Sequence, residues 1–343
     1  MSRTILVTGA TGFIAGHVIE QLLAAGDHVI GTVRDPKKAE AVAHLRAMPG
    51  AADRLTLVAA DLMADDPFSA HADVDAILHM ASPYVMNVAD PQRDLVDPAV
   101  KGTLSVFEAA ARSPRVKRIV LTSSMAAITD EPGDRVLTEK DWNTQSTLTR
   151  NPYYLSKMLA EKAAWDWMTG HKAGFDLVVI NPFLVIGPSH TRTINTSNQT
   201  FVDMLKGTYP AVMDLTWGFV DVRDVATAHV RALDPAVPSA RYICAGDTMS
   251  MTDVVAEMRK APVDSSKLPR TKMTGAFGTA LMKLASLTQP KGVGSYLRTH
   301  LGRVPRYDTT AIRSAMHMTF RPSRDSLRDT VADLVRWGHV KPA

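Results

Sequence analysis

The sequence predicts an α/β protein, a doubly wound parallel sheet joined to a smaller, mostly helical C-terminal lobe. Three observations carry this. Short runs rich in Val and Ile alternate with longer helical patterns through the first half, the rhythm of βαβ units. A glycine-rich run stands between the first such strand and the first helix. After Pro182 the alternation stops, and a polar segment through Gly218 gives way to one further unit, Phe219 to Ala245, and then to helices punctuated by Gly and Pro. The expected division is therefore 1–182 plus 219–247 for the sheet domain and 183–218 plus 248–343 for the lobe.

The strands are read at Thr4–Thr8, His28–Val33, Leu55–Ala59, Ala76–His79, Arg118–Thr122 and Leu177–Asn181. Each is almost continuously apolar, which a sheet covered by helices on both faces requires. The helices between them are expected to start near Gly12, Pro36, Pro91 and Pro152.

With 343 residues, 45% of them hydrophobic and 22% charged, the chain can bury a sizeable core, which excludes disorder. Its single cysteine, Cys244, excludes a disulfide framework and a thiolate zinc cluster and reads as a small core residue of a protein kept in a reducing compartment. A net charge of +4 is too balanced to call for nucleic acid. The excess is local: Lys267, Arg270, Lys272, Lys283, Lys291, Arg298, Arg303 and Arg306 face only Asp264 between Pro262 and Arg306, a stretch read first as a solvated basic face. There is no charged leader with an apolar core and cleavage site, and no run of about 18 apolar residues. The expectation is a cytoplasmic protein, monomer or homodimer, with no membrane or nucleic-acid partner and no metal.

The first strand runs into Thr8-Gly9-Ala10-Thr11-Gly12-Phe13-Ile14-Ala15. Gly9 permits the tight turn, Gly12 lets backbone amides approach a pyrophosphate at a helix N-terminus, and Ala15 replaces the usual third glycine while still allowing close helix–strand packing. In this strand–turn–helix context the run predicts a Rossmann dinucleotide site. The second strand ends in Arg34, where an NAD site usually places an acid; a guanidinium there can pair with a 2′-phosphate, and Lys38, one turn into the next helix, can reach the same group. NADP(H) is thus the expected cofactor, although Asp35 could contact a ribose and Lys38 alone reads equally as a surface lysine. Asp61, with Leu62 beside it after the third strand, is placed to accept from an adenine amino group or to cap a helix.

Tyr153 and Lys157 stand four apart after Asn151-Pro152, a cap and first-turn pair, so both side chains share one helix face. An ammonium beside a phenol favours the phenolate and suits the tyrosine to proton exchange near neutral pH. Thr122-Ser123-Ser124 presents hydroxyls at the carboxyl edge of the sheet, where such folds bind ligands.

Taken together with Gly31-Thr32-Val33-Arg34, His79-Met80-Ala81-Ser82-Pro83, Asn181-Pro182-Phe183-Leu184-Val185-Ile186-Gly187-Pro188 and Phe219-Val220-Asp221-Val222-Arg223-Asp224-Val225-Ala226, these motifs resemble the extended short-chain dehydrogenase/reductases. Within them they are similar to the dihydroflavonol reductase-like group, which includes cinnamoyl-CoA and aldehyde or methylglyoxal reductases. The resemblance spans nearly the whole chain. It implies that Ser124, with Ser123 as the alternative, orients a substrate carbonyl, that Tyr153 donates the proton, and that Lys157 holds the nicotinamide ribose. It further implies that Met80, Ala81, Ser82, Pro83 and Thr122 lie along the cofactor, that Pro182, Leu184 and Val185 lie against the carboxamide, and that Ser197 contacts the pyrophosphate.

By the same resemblance a substrate lies among Tyr84, Met86, Met125, Ala127, Phe183, Met213 and Trp217, a lining suited to a hydrophobic aryl or alkyl aldehyde or ketone, or the corresponding alcohol. Plant cinnamoyl-CoA reductases carry Trp-Tyr-Cys-Tyr around the catalytic tyrosine where this chain has Pro152-Tyr153-Tyr154-Leu155, which weakens an acyl-CoA reading. A 3β-hydroxysteroid dehydrogenase and an NADPH-sensing binding protein are the other readings; relatives of the latter kind usually lose the Tyr–Lys pair intact here.

Overall fold

The computed structural model describes residues 2–82 and 88–343. Seven parallel strands form the main sheet: β1 (Thr4–Val7), β2 (His28–Val33), β3 (Leu55–Ala59), β4 (Ala76–His79), β5 (Arg118–Thr122), β7 (Asp176–Pro182) and β11 (Arg241–Cys244), in the spatial order β11-β7-β5-β4-β1-β2-β3. The chain runs outward from β1 to β3, then returns to lay β4 on the other side of β1. The crevice at this reversal, at the carboxyl ends of β1 and β4, is where a ligand fits an open α/β sheet.

Strand periodicity divides the core. Ile5, Val7, Leu78 and Val120 enter one apolar cluster, and Leu6, Ile77, Ile119 and Leu121 the other, as side chains alternating across a pleated sheet must. The first cluster is covered by α1 (Phe13–Ala24), α2 (Ala39–Arg46) and α7 (Val222–Arg231), and α3 (Ala51–Arg54) adjoins it; the second is covered by α4 (Asp97–Arg112), entered through a wide π-type turn over Gln92–Val96, and by α5 (Pro152–Gly170).

Three small sheets build the other half. β8 (Leu184–Ile186), β10 (Thr216–Asp221) and β12 (Thr248–Ser250) form one, β9 (Val212–Met213) pairs with β13 (Lys272–Met273), and β6 (Val136–Leu137) pairs with β14 (Arg306–Tyr307). With them go α6 (Thr196–Leu205), α8 (Met251–Lys260), α9 (Gly275–Ala285), α10 (Lys291–His300) and α12 (Ser323–Arg336), while α11 (Thr310–Met316) packs against β11 and α7. Two features depart from the expected division. β10 joins β8 and β12 rather than the main sheet, and Ile312, Met316 and Met318 of the C-terminal segment pack into the core beside β11 and α7.

One helix start and one cap also differ. A turn in which Asp35 Oδ1 accepts the Lys37 N–H (2.9 Å) delays α2, so Lys38 is its N-cap residue rather than a residue one turn inside it. Asn151 does precede α5, but its backbone is left-handed (φ 49°) and its side chain makes no cap bond; Nδ2 reaches Thr299 Oγ1 (3.2 Å) and Asp130 Oδ2 (3.4 Å) instead. Cys244 is fully buried, and burial pushes its thiol well above the ordinary range. Among the described residues no helix is long and apolar enough to cross a membrane.

Candidate active site

A single cavity of about 750 Å³ runs from the glycine turn across the carboxyl edge of the sheet to α9 and α10. At its first end Gly9 takes φ +68°, and a Cβ there would stand 3.0 Å from Ala81 Cα, so only glycine fits the approach of the two strand ends. α1 begins at Gly12 with no side-chain cap and no acidic residue in its first turn, which leaves its leading N–H groups and the positive end of its dipole for an anion. This cradle suits a dinucleotide pyrophosphate.

Two buried clamps fix the strand ends. Thr8 Oγ1 accepts the Met80 and Ala81 N–H groups (3.0 Å each), so its own proton goes to His79 Nδ1 at 2.9 Å. His229 Nδ1 donates to the Val225 carbonyl (2.8 Å), which leaves Nε2 to accept from the Thr122 hydroxyl (2.8 Å). Burial depresses His79 to about 3 and His229 to about 4, so both rings stay neutral while they hold these tautomers.

At mid-cavity α5 presents Tyr153, Tyr154 and Lys157. Burial lowers the Lys157 ammonium to about 8, against the opposing pull of Glu161 one turn further on, so it remains cationic at neutral pH. The two serines separate by geometry. Ser123 is buried and donates its hydroxyl to Glu161 Oε2 (2.5 Å), whereas Ser124, half-buried on the cavity, accepts the Ala126 N–H (3.1 Å) and keeps its proton to give.

Glu161 is itself the hub of a buried network. Asn181 Nδ2 donates to it at 2.7 Å and to the Ser124 carbonyl at 3.1 Å, and Arg241 pairs with it while stacking its guanidinium 3.8 Å over Trp142. The residue thus ties α5 to the ends of β5, β7 and β11.

The model of the NAD dependent epimerase/dehydratase family matches residues 5–245. The chain belongs to that family. Among curated relatives, tetraketide alpha-pyrone reductase 1 of Arabidopsis thaliana is 32% identical over 98% of this chain and 96% of its own. Cinnamoyl-CoA reductase CAD2 of Medicago truncatula is 37% identical over 76% of this chain and 81% of its own. The crystal structure of Gre2 from Candida albicans in complex with NADPH superposes with a TM-score of 0.81 at 31% identity, over 97% of this chain and 99% of that one.

In this member of the epimerase/dehydratase family the cavity brings together Gly9, Gly12, Phe13, Ile14, Met80, Ser82, Thr122, Ser124, Pro182, Leu184, Val185 and Ser197 of the expected cofactor and catalytic residues, besides Tyr153 and Lys157. It also gathers Met125, Phe183, Met213 and Trp217 from the expected substrate lining. Thr11, Arg34, Lys38, Asp61, Leu62 and Ala81 are not on its wall. Arg34 and Lys38 are exposed beyond the end of β2, and Asp61 Oδ1 accepts the Met63 N–H (3.0 Å) in a turn, not a helix cap. Ala127 is wholly buried and off the wall, because the 3₁₀ turn Met125–Ala127 carries Met125 to the cavity side and Ala127 inward. Pro83, Tyr84 and Met86 lie outside the described residues.

The sequence reading missed the far wall of the family member's cavity. Met282 from α9, Pro290 just before α10, and Val293, Tyr296, Leu297 and His300 from α10 close it. Trp217 Nε1 donates to Tyr296 Oη at 2.8 Å, and Tyr296 stacks on His300 with ring centroids 4.0 Å apart. Val293, Tyr296, Leu297 and His300 stand at intervals of three and four, a helix-face signal masked by the basic residues around it. None of Lys267, Arg270, Lys272, Lys283, Arg298, Arg303 or Arg306 lines the cavity; Arg303 pairs with Glu131, and most of the rest are exposed.

Proposed function

We propose that the protein is an NADPH-dependent carbonyl reductase acting on hydrophobic aryl or alkyl aldehydes and ketones, of the dihydroflavonol reductase-like kind. One observation carries the reading: Tyr153 and Lys157 share a cavity that begins at the uncapped N-terminus of α1 and ends among apolar side chains. The cofactor reading rests on Gly9, Gly12 and the first turn of α1 for the pyrophosphate, Arg34 with Lys38 for the 2′-phosphate, and Leu184 and Val185 for the nicotinamide end. It accords with the NADPH bound by the similar Gre2 structure. The bound cofactor supplies a hydride to the carbonyl carbon.

The chain does the rest. Ser124 donates a hydrogen bond to the carbonyl oxygen and orients it. Tyr153 passes its phenolic proton to that oxygen as negative charge develops there, and the Lys157 ammonium stabilises the phenolate left behind. Both groups act within a wall that is mostly apolar, where a charge–dipole contact is worth more than in water.

The lining favours an uncharged hydrophobic substrate over an acyl-CoA, since no described lysine or arginine side chain of 262–306 faces the cavity. The same reading has the protein work in the cytoplasm as a monomer or homodimer, without nucleic acid. The test is NADPH oxidation across aldehydes, diketones, flavonoids, steroids and acyl-CoAs. Aryl or long-chain carbonyls are expected to give the highest kcat/KM; activity confined to acyl-CoA, or to two- and three-carbon aldehydes, overturns the proposal.

A further inference from the structure

A second cluster of ligating side chains lies one turn along α1 from the cavity-lining Phe13, outside the cavity itself. We propose that His17, Glu20 and His190 form a binding site for one divalent transition-metal ion of the zinc class. His17 and Glu20 are one helical turn apart on α1, and His190 reaches over the same helix from the loop that follows β8. Their donor atoms all lie within 4.8 Å of one another. Glu20 Oε2 is 3.7 Å from His17 Nδ1 and 3.4 Å from His190 Nε2. Ligands about 2.0–2.1 Å from a tetrahedral zinc ion stand roughly 3.3–3.4 Å apart, so small side-chain shifts close the set.

The ligand atoms are in the state that a metal needs. His17 Nε2 bonds to the Pro188 carbonyl at 2.9 Å, so its proton is committed there and the Nδ1 lone pair faces Glu20. A carbonyl holding the outer nitrogen of a ligating imidazole is the usual second contact of such sites. His190 Nε2 is buried and makes no hydrogen bond; its approach to Glu20 is close but misaligned. An ion between the two would satisfy an atom that the protein otherwise leaves unpaired.

The packing makes room for this arrangement. The imidazoles of His17 and His190 lie 4.2 Å apart, and a Cβ on Gly16 would come within 3.1 Å of His190 Cδ2. Two imidazoles with one carboxylate suit zinc, cobalt or nickel and disfavour magnesium or calcium, which require all-oxygen shells. Glu20 is half-exposed, so a fourth position opens to water. The ion would bridge α1, whose N-terminus forms the anion cradle, to the segment that runs on from Leu184 and Val185.

The experiment is equilibrium dialysis of the chelator-treated full-length protein against ZnCl2, with thermal unfolding in parallel. One zinc per chain is expected, and a melting temperature about 4 °C higher at roughly a hundredfold excess over Kd. Magnesium in excess should neither bind nor compete. Glu20→Gln and His190→Ala, at a half-exposed helix position and in a loop, should each weaken zinc binding by at least about tenfold, with NADPH binding as the check that both are folded. Absence of zinc binding by the parent protein overturns the proposal, and so does equal affinity in both variants, which would place the ion on other histidines. Neither result bears on the reductase reading.

Discussion

The two ends of the cavity are built in different ways. At the cofactor end the wall is main chain and short side chains held at the ends of strands: Gly9 against Ala81, the bare N-terminus of α1, and hydroxyls locked by His79 and His229. At the substrate end it is long side chains on α9 and α10, helices outside the main sheet; the outer face of α9 leaves Phe277, Leu281 and Leu284 exposed. The first end is fixed by strand pairing and cannot change without breaking the fold. The second can be re-cut by exchanging a few apolar residues, so on the proposed reading the cofactor belongs to one end, the choice of substrate to the other, and the chemistry to the junction between them.

Substitution at the junction should have the largest effect. Tyr153→Phe removes the proposed proton donor and should lower kcat by a factor on the order of 10²–10⁴ while the Kd for NADPH holds. Tyr154→Phe should keep most of the activity, and the reverse pattern would move the proton donor to the neighbouring phenol. At the cofactor end Arg34→Ala should cost more than about tenfold in NADPH affinity and little for NADH, since a charge-assisted phosphate contact contributes roughly 1.5–3 kcal/mol. Equal affinities of the parent protein for the two cofactors would remove the basis of that prediction.

A pH titration separates the two ends more finely. Lys157 is held at about 8 in the folded protein, below its ordinary 10.5. The unfolded chain therefore binds the extra proton between those values, and this residue makes the cofactor-free protein more stable as pH rises from about 8 towards 10.5. Activity should move the other way: kcat/KM for NADPH falls with loss of the ammonium above pH 8, by about tenfold at pH 9. A flat profile through pH 9 would show that the charge on Lys157 is not needed. The smallest expected change is at the substrate end. Tyr296→Ala deletes the partner of Trp217 and part of the far wall, and should narrow the preference for aryl over small carbonyls several-fold, with turnover of the small ones unchanged. Loss of all activity instead would tie α10 to the chemistry.

The same contrast explains what was legible in the sequence. Strands β1 to β5 and β7 fall within a residue of where their apolar runs predict, because burial on both faces leaves a continuous signal. The glycine turn and the Tyr153–Lys157 spacing are local patterns and survive translation into structure. What stayed hidden depends on residues far apart in the chain. The Thr122–His229 bond spans 107 positions, and the Trp217–Tyr296 bond 79. Lys38 was misplaced for a nearer reason, an Asx turn that delays α2, and Asn151 keeps the N-cap position but, with a left-handed backbone, makes no side-chain cap bond.

The Glu161 network has a consequence for anyone who would move this chemistry elsewhere. Ser124, Tyr153 and Lys157 are three side chains, yet their placement is underwritten by a carboxylate one turn below Lys157 that grips Ser123, Asn181 and Arg241 from three neighbouring strands. A transplant of the three visible residues onto another doubly wound sheet would arrive without its foundation. The portable unit is the helix segment from Tyr153 to Glu161 together with the ends of β5, β7 and β11, and the sequence distance from Ser123 to Arg241 is the length of chain that such a graft must carry.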